Sequence, residues 1–140
     1  MVTVIKDQWR STLLGLVRGT RKDLVVVTPY FQNKVIEDIL GNCSENMKIR
    51  FLLGSTTKHT MVDRSTDHFA IMRISQFHRA ACKFSKNLHA KVLVSDGADN
   101  TRKAIVTSAN LTEPGLESNA EIGVMLDGEP AKEIAEHMNK

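Results

Sequence analysis

Residues 88–96, Leu-His-Ala-Lys-Val-Leu-Val-Ser-Asp, set an imidazole and an ammonium two positions apart at the start of an apolar run. Side chains two apart on a strand leave the same face, so His89 and Lys91 are predicted to project together. The run at 104–107 ends in Ser108-Ala-Asn110, which pairs a hydroxyl with an amide by the same rule, and Glu121 opens a third run. Three strand ends would then bring these five groups to one edge of a sheet, where α/β folds usually place their sites. The set suits phosphoryl transfer. An imidazole can attack phosphorus and split one hard displacement into two steps through a covalent intermediate. A carboxylate on its other nitrogen fixes the tautomer and steadies the cation that forms, a role open to Glu121. Lys91 would supply a compact positive charge, and Ser108 and Asn110 neutral donors, so that the phosphoryl oxygens are cradled without a metal. The leaving oxygen still needs a proton, and one histidine cannot attack and serve as a fresh acid in the same step. A second histidine is required, yet the chain contains one H-x-K.

Each of these residues also has a plainer use. His89 and Lys91 could lie on an exposed strand edge, and Glu121 on a solvated face. Asp96 could simply begin the turn Asp96-Gly97. Ser108 and Asn110 could cap the loop into Leu111. His59, His68 and His78 share no metal-ligand spacing with one another or with the cysteines, so neither a metal site nor a cofactor is expected. Lys58, Arg64, Arg73, Arg79, Lys83, Lys86, Arg102 and Lys103 surround the motif in sequence. They read either as scattered surface charge or as a groove that tracks a phosphate backbone, with Lys58, Arg64, Lys86, Arg102 and Lys103 the candidates for nucleic-acid contact. Aromatic residues make up 5% of the chain, too few for base stacking to be the main source of affinity. Tyr30 is a candidate to line the site, while Phe31 reads as core.

The elements that must hold these residues can be read from periodicity. Val2–Ile5 reads as a strand, and Trp9, Leu13, Leu16 and Val17 as the apolar stripe of a helix with Gly19 at its C-terminal cap. Residues 23–28 are a β-branched run of the kind covered on both faces. Asn33 reads as the N-cap of a helix carrying Val35, Ile36, Ile39 and Leu40, and residues 48–53 as a strand. Residues 55–67 are polar and aperiodic, a loop long enough to be functional or mobile. A helix with Ala70, Ile74 and Phe77 comes next, then strands at 82–84, 88–94, 104–108 and 120–126. Pro130 opens a last helix with Ala131, Ile134, Ala135 and Met138 on one side. The pattern predicts an α/β fold: a mixed, largely parallel sheet with helices on both faces.

With 140 residues, 41% hydrophobic and 25% charged, the chain fits one globular domain, 1–140, and is neither disordered nor in need of staples. Ending on a helix, it reads as a domain cut from something longer. Cys43 and Cys82 lie far apart with no C-x-x-C, which suits a reducing, cytoplasmic setting. No run approaches eighteen apolar residues and the N-terminus lacks an apolar signal, so neither secretion nor a membrane span is expected. Nineteen basic against sixteen acidic residues leave a formal charge of +3, which allows an anionic partner.

His-Ala-Lys-Val-Leu-Val-Ser-Asp resembles the H-x-K-x-x-x-x-D signature of the phospholipase D superfamily. Thr107-Ser-Ala-Asn resembles that family's G-S-x-N, with Thr107 in place of the usual glycine. The stretch 107–124 is similar to the form of nuclease and restriction-enzyme members, whereas lipid synthases tend to continue S-x-N with an acidic, arginine-containing stretch. Residues 27–31 and 48–53 also resemble the family's early strands, so the likeness covers nearly the whole chain. Alone, H-x-K-x-x-x-x-D would arise by chance in roughly one chain of this length in a hundred; joined to S-x-N and Glu121 in order, it is specific. The resemblance implies a phospholipase D-like fold in which His89 is the nucleophile, Lys91 and Asn110 bind phosphate, Ser108 assists, Glu121 orients the histidine and Asp96 is structural. It implies a homodimer too, since single-motif members pair their sites across a two-fold axis. The expected activity is metal-independent cleavage of nucleic acid, DNA foremost, through a phosphohistidine. Two other readings stay open: phospholipid hydrolysis or phosphatidyl transfer by the same chemistry, and a nucleic-acid-binding module within a larger restriction or helicase protein.

Overall fold

The structure, a computed structural model, describes residues 1–55, 67–97 and 101–138. Its strands are β1 (Val2–Ile5), β2 (Asp23–Thr28), β3 (Lys48–Gly54), β4 (Ala80–Ser85), β5 (Val92–Asp96), β6 (Arg102–Thr107) and β7 (Gly123–Asp127). Its helices are α1 (Trp9–Gly19), α2 (Asn33–Gly41), α3 (His68–Gln76) and α4 (Glu129–Met138), with a π-helical turn at Pro114–Ser118. Among the described residues the strands form one sheet in the order β1-β7-β6-β5-β2-β3-β4. No helix among them is long and apolar enough to cross a membrane.

Alternation along β2 divides the core into two layers. Leu24 and Val26 face α1, α2 and α3 together with Phe51, Leu93 and Ile105. Val25 and Val27 face the other way, with Val92, Val94 and Ala104, under Ala131 and Ala135 of α4. Helices therefore cover both faces, as expected. The small residues of α4 let it sit close to the sheet, but one helix shields only a strip of that face.

The sheet is mixed. Five strands run one way, yet the reversed ones, β5 and β7, are interleaved with the rest. Only β2–β3 and β3–β4 are parallel pairs; β2–β5, β5–β6, β6–β7 and β1–β7 are antiparallel. The expected parallel character thus holds for strand direction and, by adjacency, only where α2 and α3 supply helical crossovers. From β5 onward no α-helix separates successive strands, so β6 folds back on β5 and β7 on β6.

Several boundaries differ from the periodicity: Gly19 is the last residue of α1 with Thr20 as its C-cap, β4 spans Ala80–Ser85 rather than 82–84, and the starts of α2, β5 and β7 shift as well. Asn33 is the first helical residue of α2, not its cap. Gln32 holds the cap position without a side-chain bond to the helix, and the Asn33 amide donates to Asp67 Oδ2 at 2.8 Å. Asp67 caps α3 as well, Oδ1 accepting from the Phe69 amide at 2.9 Å, so one carboxylate serves two helix starts. β5 begins at Val92 rather than at residue 88. Val92 lies opposite Val27, and beyond it the neighbouring strand reaches Pro29, which has no N–H to offer. β7 begins at Gly123, opposite Thr107, so Glu121 precedes the strand.

Cys43 and Cys82 are free, half-buried thiols, and burial pushes each up to about 11. Arg79 works against this at Cys43 without reversing it. Both should react slowly with iodoacetamide at pH 8, compared with the urea-unfolded chain. The folded state holds these protons more tightly than the unfolded state does. Their contribution to stability is therefore intact at neutral pH and is lost as the pH rises from the ordinary thiol value of 9.0 toward about 11. A urea midpoint constant across that interval would contradict the assignment.

Candidate active site

Strand direction decides which residues meet. β2 and β3 end at Thr28 and Gly54 on one edge of the sheet; β5 starts there at Val92, β6 ends there at Thr107 and β7 starts there at Gly123. His89, Lys91, Ser108, Asn110 and Glu121 therefore all flank the same edge. His89 is exposed and Lys91 half-buried. The Lys91 carbonyl accepts from the Thr107 amide at 3.1 Å, which extends the β5–β6 ladder one step toward the motif, while Lys91 Nζ donates to the His89 carbonyl at 3.2 Å.

Ser108 is a junction. Its amide donates to the Ile122 carbonyl at 3.0 Å, its Oγ accepts from the Ile122 amide at 3.1 Å, and its hydroxyl donates to Glu121 Oε2. The Ile122 carbonyl also lies 3.2 Å from Oγ, but the single hydroxyl proton favours the carboxylate, the stronger acceptor. Ser108 thus clips the Glu121 segment to the end of β6. The carboxylate expected to orient His89 is engaged through Oε2 by serine.

Asn110 is held from behind. Gly115, in the π-helical turn, lies so close to the Asn110 carbonyl that a Cβ there would collide with it. Asn110 Oδ1 is buried with no hydrogen-bond partner among the described residues, which is uncommon for a buried polar atom. The next residue, Leu111, donates its amide to Thr28 Oγ1 at 3.3 Å and accepts from the Gln32 amide at 3.0 Å. Gly123 is a second enforced close approach: a Cβ there would fall 2.6 Å from the Val106 carbonyl and 2.7 Å from the Trp9 ring.

Asp96 lies at the far end of β5. Its carbonyl accepts from the Arg21 and Lys22 amides at 2.9 and 3.2 Å, and its carboxylate is 3.7 Å from Arg102 Nε. The five proposed nucleic-acid contacts do not form one group. Lys86 comes just after β4 at the His89 edge; Arg102 and Lys103 begin β6 at the opposite edge; Lys58 and Arg64 lie outside the described residues. Arg102 and Lys103 instead line a cavity of about 800 Å³ with Lys22, Lys132, Asp96 and Asp127. That cavity lies at the opposite end of the sheet from the motif. Phe31 is fully buried, as core, and Tyr30 is exposed beside the site edge.

Sequence reading missed Arg10, Thr28, Gln32 and Gly115. Arg10, on α1, donates to Glu117 Oε1 at 2.6 Å and to Asp38 Oδ2 on α2. Burial would lower its pKa, but the hydrogen bond to Glu117 and the two carboxylate charges leave it above the ordinary value. No local pattern marks a residue whose partners are 28 and 107 positions away.

Compared with known proteins, residues 13–140 match the family described as cardiolipin synthase, PLD-like domain. No curated protein matches the sequence. Among solved structures, NucT from Helicobacter pylori superposes with a TM-score of 0.72 at 13% identity, covering 99% of this chain and 91% of NucT. The phospholipase D family member Nuc from Salmonella typhimurium gives 0.71 at 14% identity, over 98% of this chain and 91% of Nuc. The archaeal chromatin protein TrmBL2, described with a novel mode of DNA binding, gives 0.64 at 15% identity, over 99% of this chain and 50% of TrmBL2. At these identities the structural likeness speaks for the fold.

Proposed function

The chain belongs to the phospholipase D superfamily, and from that premise we propose that it is a phosphodiesterase that cleaves nucleic acid as a homodimer through a phosphohistidine at His89. The observation that carries this reading is the gathering of His89, Lys91, Ser108, Asn110 and Glu121 at one sheet edge. A ring nitrogen of His89 attacks phosphorus, and the P–O bond to the leaving strand breaks. The leaving oxygen takes its proton from the His89 imidazolium of a second copy. That second histidine, now neutral, accepts a proton from water as the water attacks the phosphohistidine, and cleavage of the P–N bond restores His89. Lys91 and the Asn110 amide hold the phosphoryl oxygens as charge develops on them. Ser108 binds one carboxylate oxygen of Glu121, and the other is the one that would meet the His89 ring.

Three features favour nucleic acid: the basic balance, Lys86 at the site edge, and the DNA-binding description of TrmBL2. A lipid substrate has support of its own in the cardiolipin synthase description of the matching family. The test uses an oligonucleotide carrying radioactive phosphorus at every internal phosphate, in excess EDTA, so that the transferred phosphoryl group is itself labelled whichever P–O bond breaks. Cleavage is expected to continue, and the protein should carry label that survives alkali and is lost in acid, the behaviour of a phosphoramidate. A requirement for added Mg²⁺, or a labelled intermediate absent under rapid quench, would overturn the mechanism. Turnover of phosphatidylglycerol vesicles without cleavage of plasmid would move the substrate to lipid. Salt-dependent DNA binding with neither cleavage nor adduct would make the chain a binding module.

A further inference from the structure

Asn110 and Glu121 are joined by a ten-residue connector that contains the π-helical turn Pro114–Ser118. That turn is tied to two helices far away in sequence. On the α2 side, Gln32 Oε1 accepts from the Glu113 amide at 2.8 Å, and Thr28 Oγ1 accepts from Leu111. On the α1 side, Arg10 Nη1 donates to Glu117 Oε1 at 2.6 Å while Nη2 donates to Asp38 of α2. Within the connector, Thr112 Oγ1 accepts from the Gly115 amide at 3.1 Å, and the Asn119 amide donates to the Pro114 carbonyl at 2.7 Å. Gly115 then presses directly on the Asn110 backbone. A displacement of the turn is therefore transmitted to Asn110 at one end and to Glu121 at the other.

We propose that Arg10 is a positioning residue of the phosphoryl-transfer site: its planar fork spans Glu117 and Asp38 and so sets the connector that places Asn110 and Glu121. The geometry explains why arginine stands here. Two carboxylates on different elements are held by two nitrogens of one rigid group, whereas a lysine ammonium is a point charge with no fixed direction. π-Helical turns are uncommon and often sit at functional sites. Here the segment downstream of the turn runs from Asn119 to Glu121. The inference rests on the phosphodiesterase reading above and deepens it.

The test measures steady-state cleavage by Arg10→Gln, Glu117→Gln, the double variant and Arg10→Lys, with thermal midpoints recorded in parallel. A misplacement of about 1 Å at reacting groups can cost about 100-fold in rate. Each glutamine variant is expected to lose about that factor in kcat, with KM and the melting temperature nearly unchanged. The double variant should be no slower than the slower single, because both break one contact. Arg10→Lys should fall between wild type and Arg10→Gln. Additive losses, unchanged kcat in either glutamine variant, or losses that track only a falling melting temperature would overturn the proposal. If His89→Ala cleaves as well as wild type, the reaction itself is wrong and the underlying reading falls; if His89→Ala is dead but Arg10→Gln is fully active, only the positioning role falls.

Discussion

The His89→Ala protein should cleave a labelled oligonucleotide more slowly than wild type by on the order of 10⁴-fold or more, with its fold intact. The chemistry sets the size of this loss. Without the imidazole there is no covalent step, and the residual rate comes only from binding and from the donors on the phosphoryl oxygens. The fold should survive because His89 is exposed and lies ahead of β5, outside the sheet ladder. Removing it takes no packing from either core layer. Lys91→Ala removes one charge-stabilising group and should cost less, about 10²- to 10³-fold. Circular dichroism and thermal melts separate loss of chemistry from loss of fold. Activity of His89→Ala within tenfold of wild type would sink the phosphohistidine mechanism.

What could be read in advance divides along the distance between interacting residues. β2 and its β-branched run stand as expected, because a strand covered on both faces writes its burial into consecutive residues. The apolar stripes of α1 and α2 were equally plain. The end of the H-x-K strand was not. Its limit falls where the neighbouring β2 ends at Thr28, ahead of Pro29 and some sixty positions earlier. The carboxylate that accepts from the first amide of α2 likewise comes from Asp67, 34 positions later. The side chains expected to do chemistry were legible because their types and spacing are local. The contacts that hold them, Arg10 on Glu117 and Asp38, Thr28 on Leu111 and Gly115 against Asn110, were not, because they join unremarkable residues through the fold rather than through a local pattern. The chain carries one H-x-K, plain in the sequence, where the proposed reaction needs two imidazoles.

That deficit can be tested at a specific surface. The register Val4–Val124–Val106, with Val2 opposite Leu126, places these side chains on the face of the sheet that α4 covers only in part. Val2 is 61% exposed, Val4 54% and Val106 37%, and Ile122, next to Glu121, is 62% exposed. An apolar stripe that runs from β1 across β6 to the edge of the site is expensive to leave in water. We propose that a second copy covers it in solution, as the homodimer reading requires, with the two-fold axis placed so that the partner supplies the second His89. The Val4→Asp/Val106→Asp double variant buries charge in that contact without touching the candidate catalytic residues. It should run as a monomer by light scattering where wild type runs at twice the chain mass. Its cleavage rate should fall by about 10²- to 10⁴-fold, the worth of a general acid. Mixing provides an independent check. If each working site needs a histidine from both copies, titrating wild type with His89→Ala at constant total protein should lower activity with the square of the wild-type fraction. If each protomer works alone, activity falls in simple proportion. A fully active monomeric double variant, or a strictly proportional titration, would mean that the second proton donor lies within this chain.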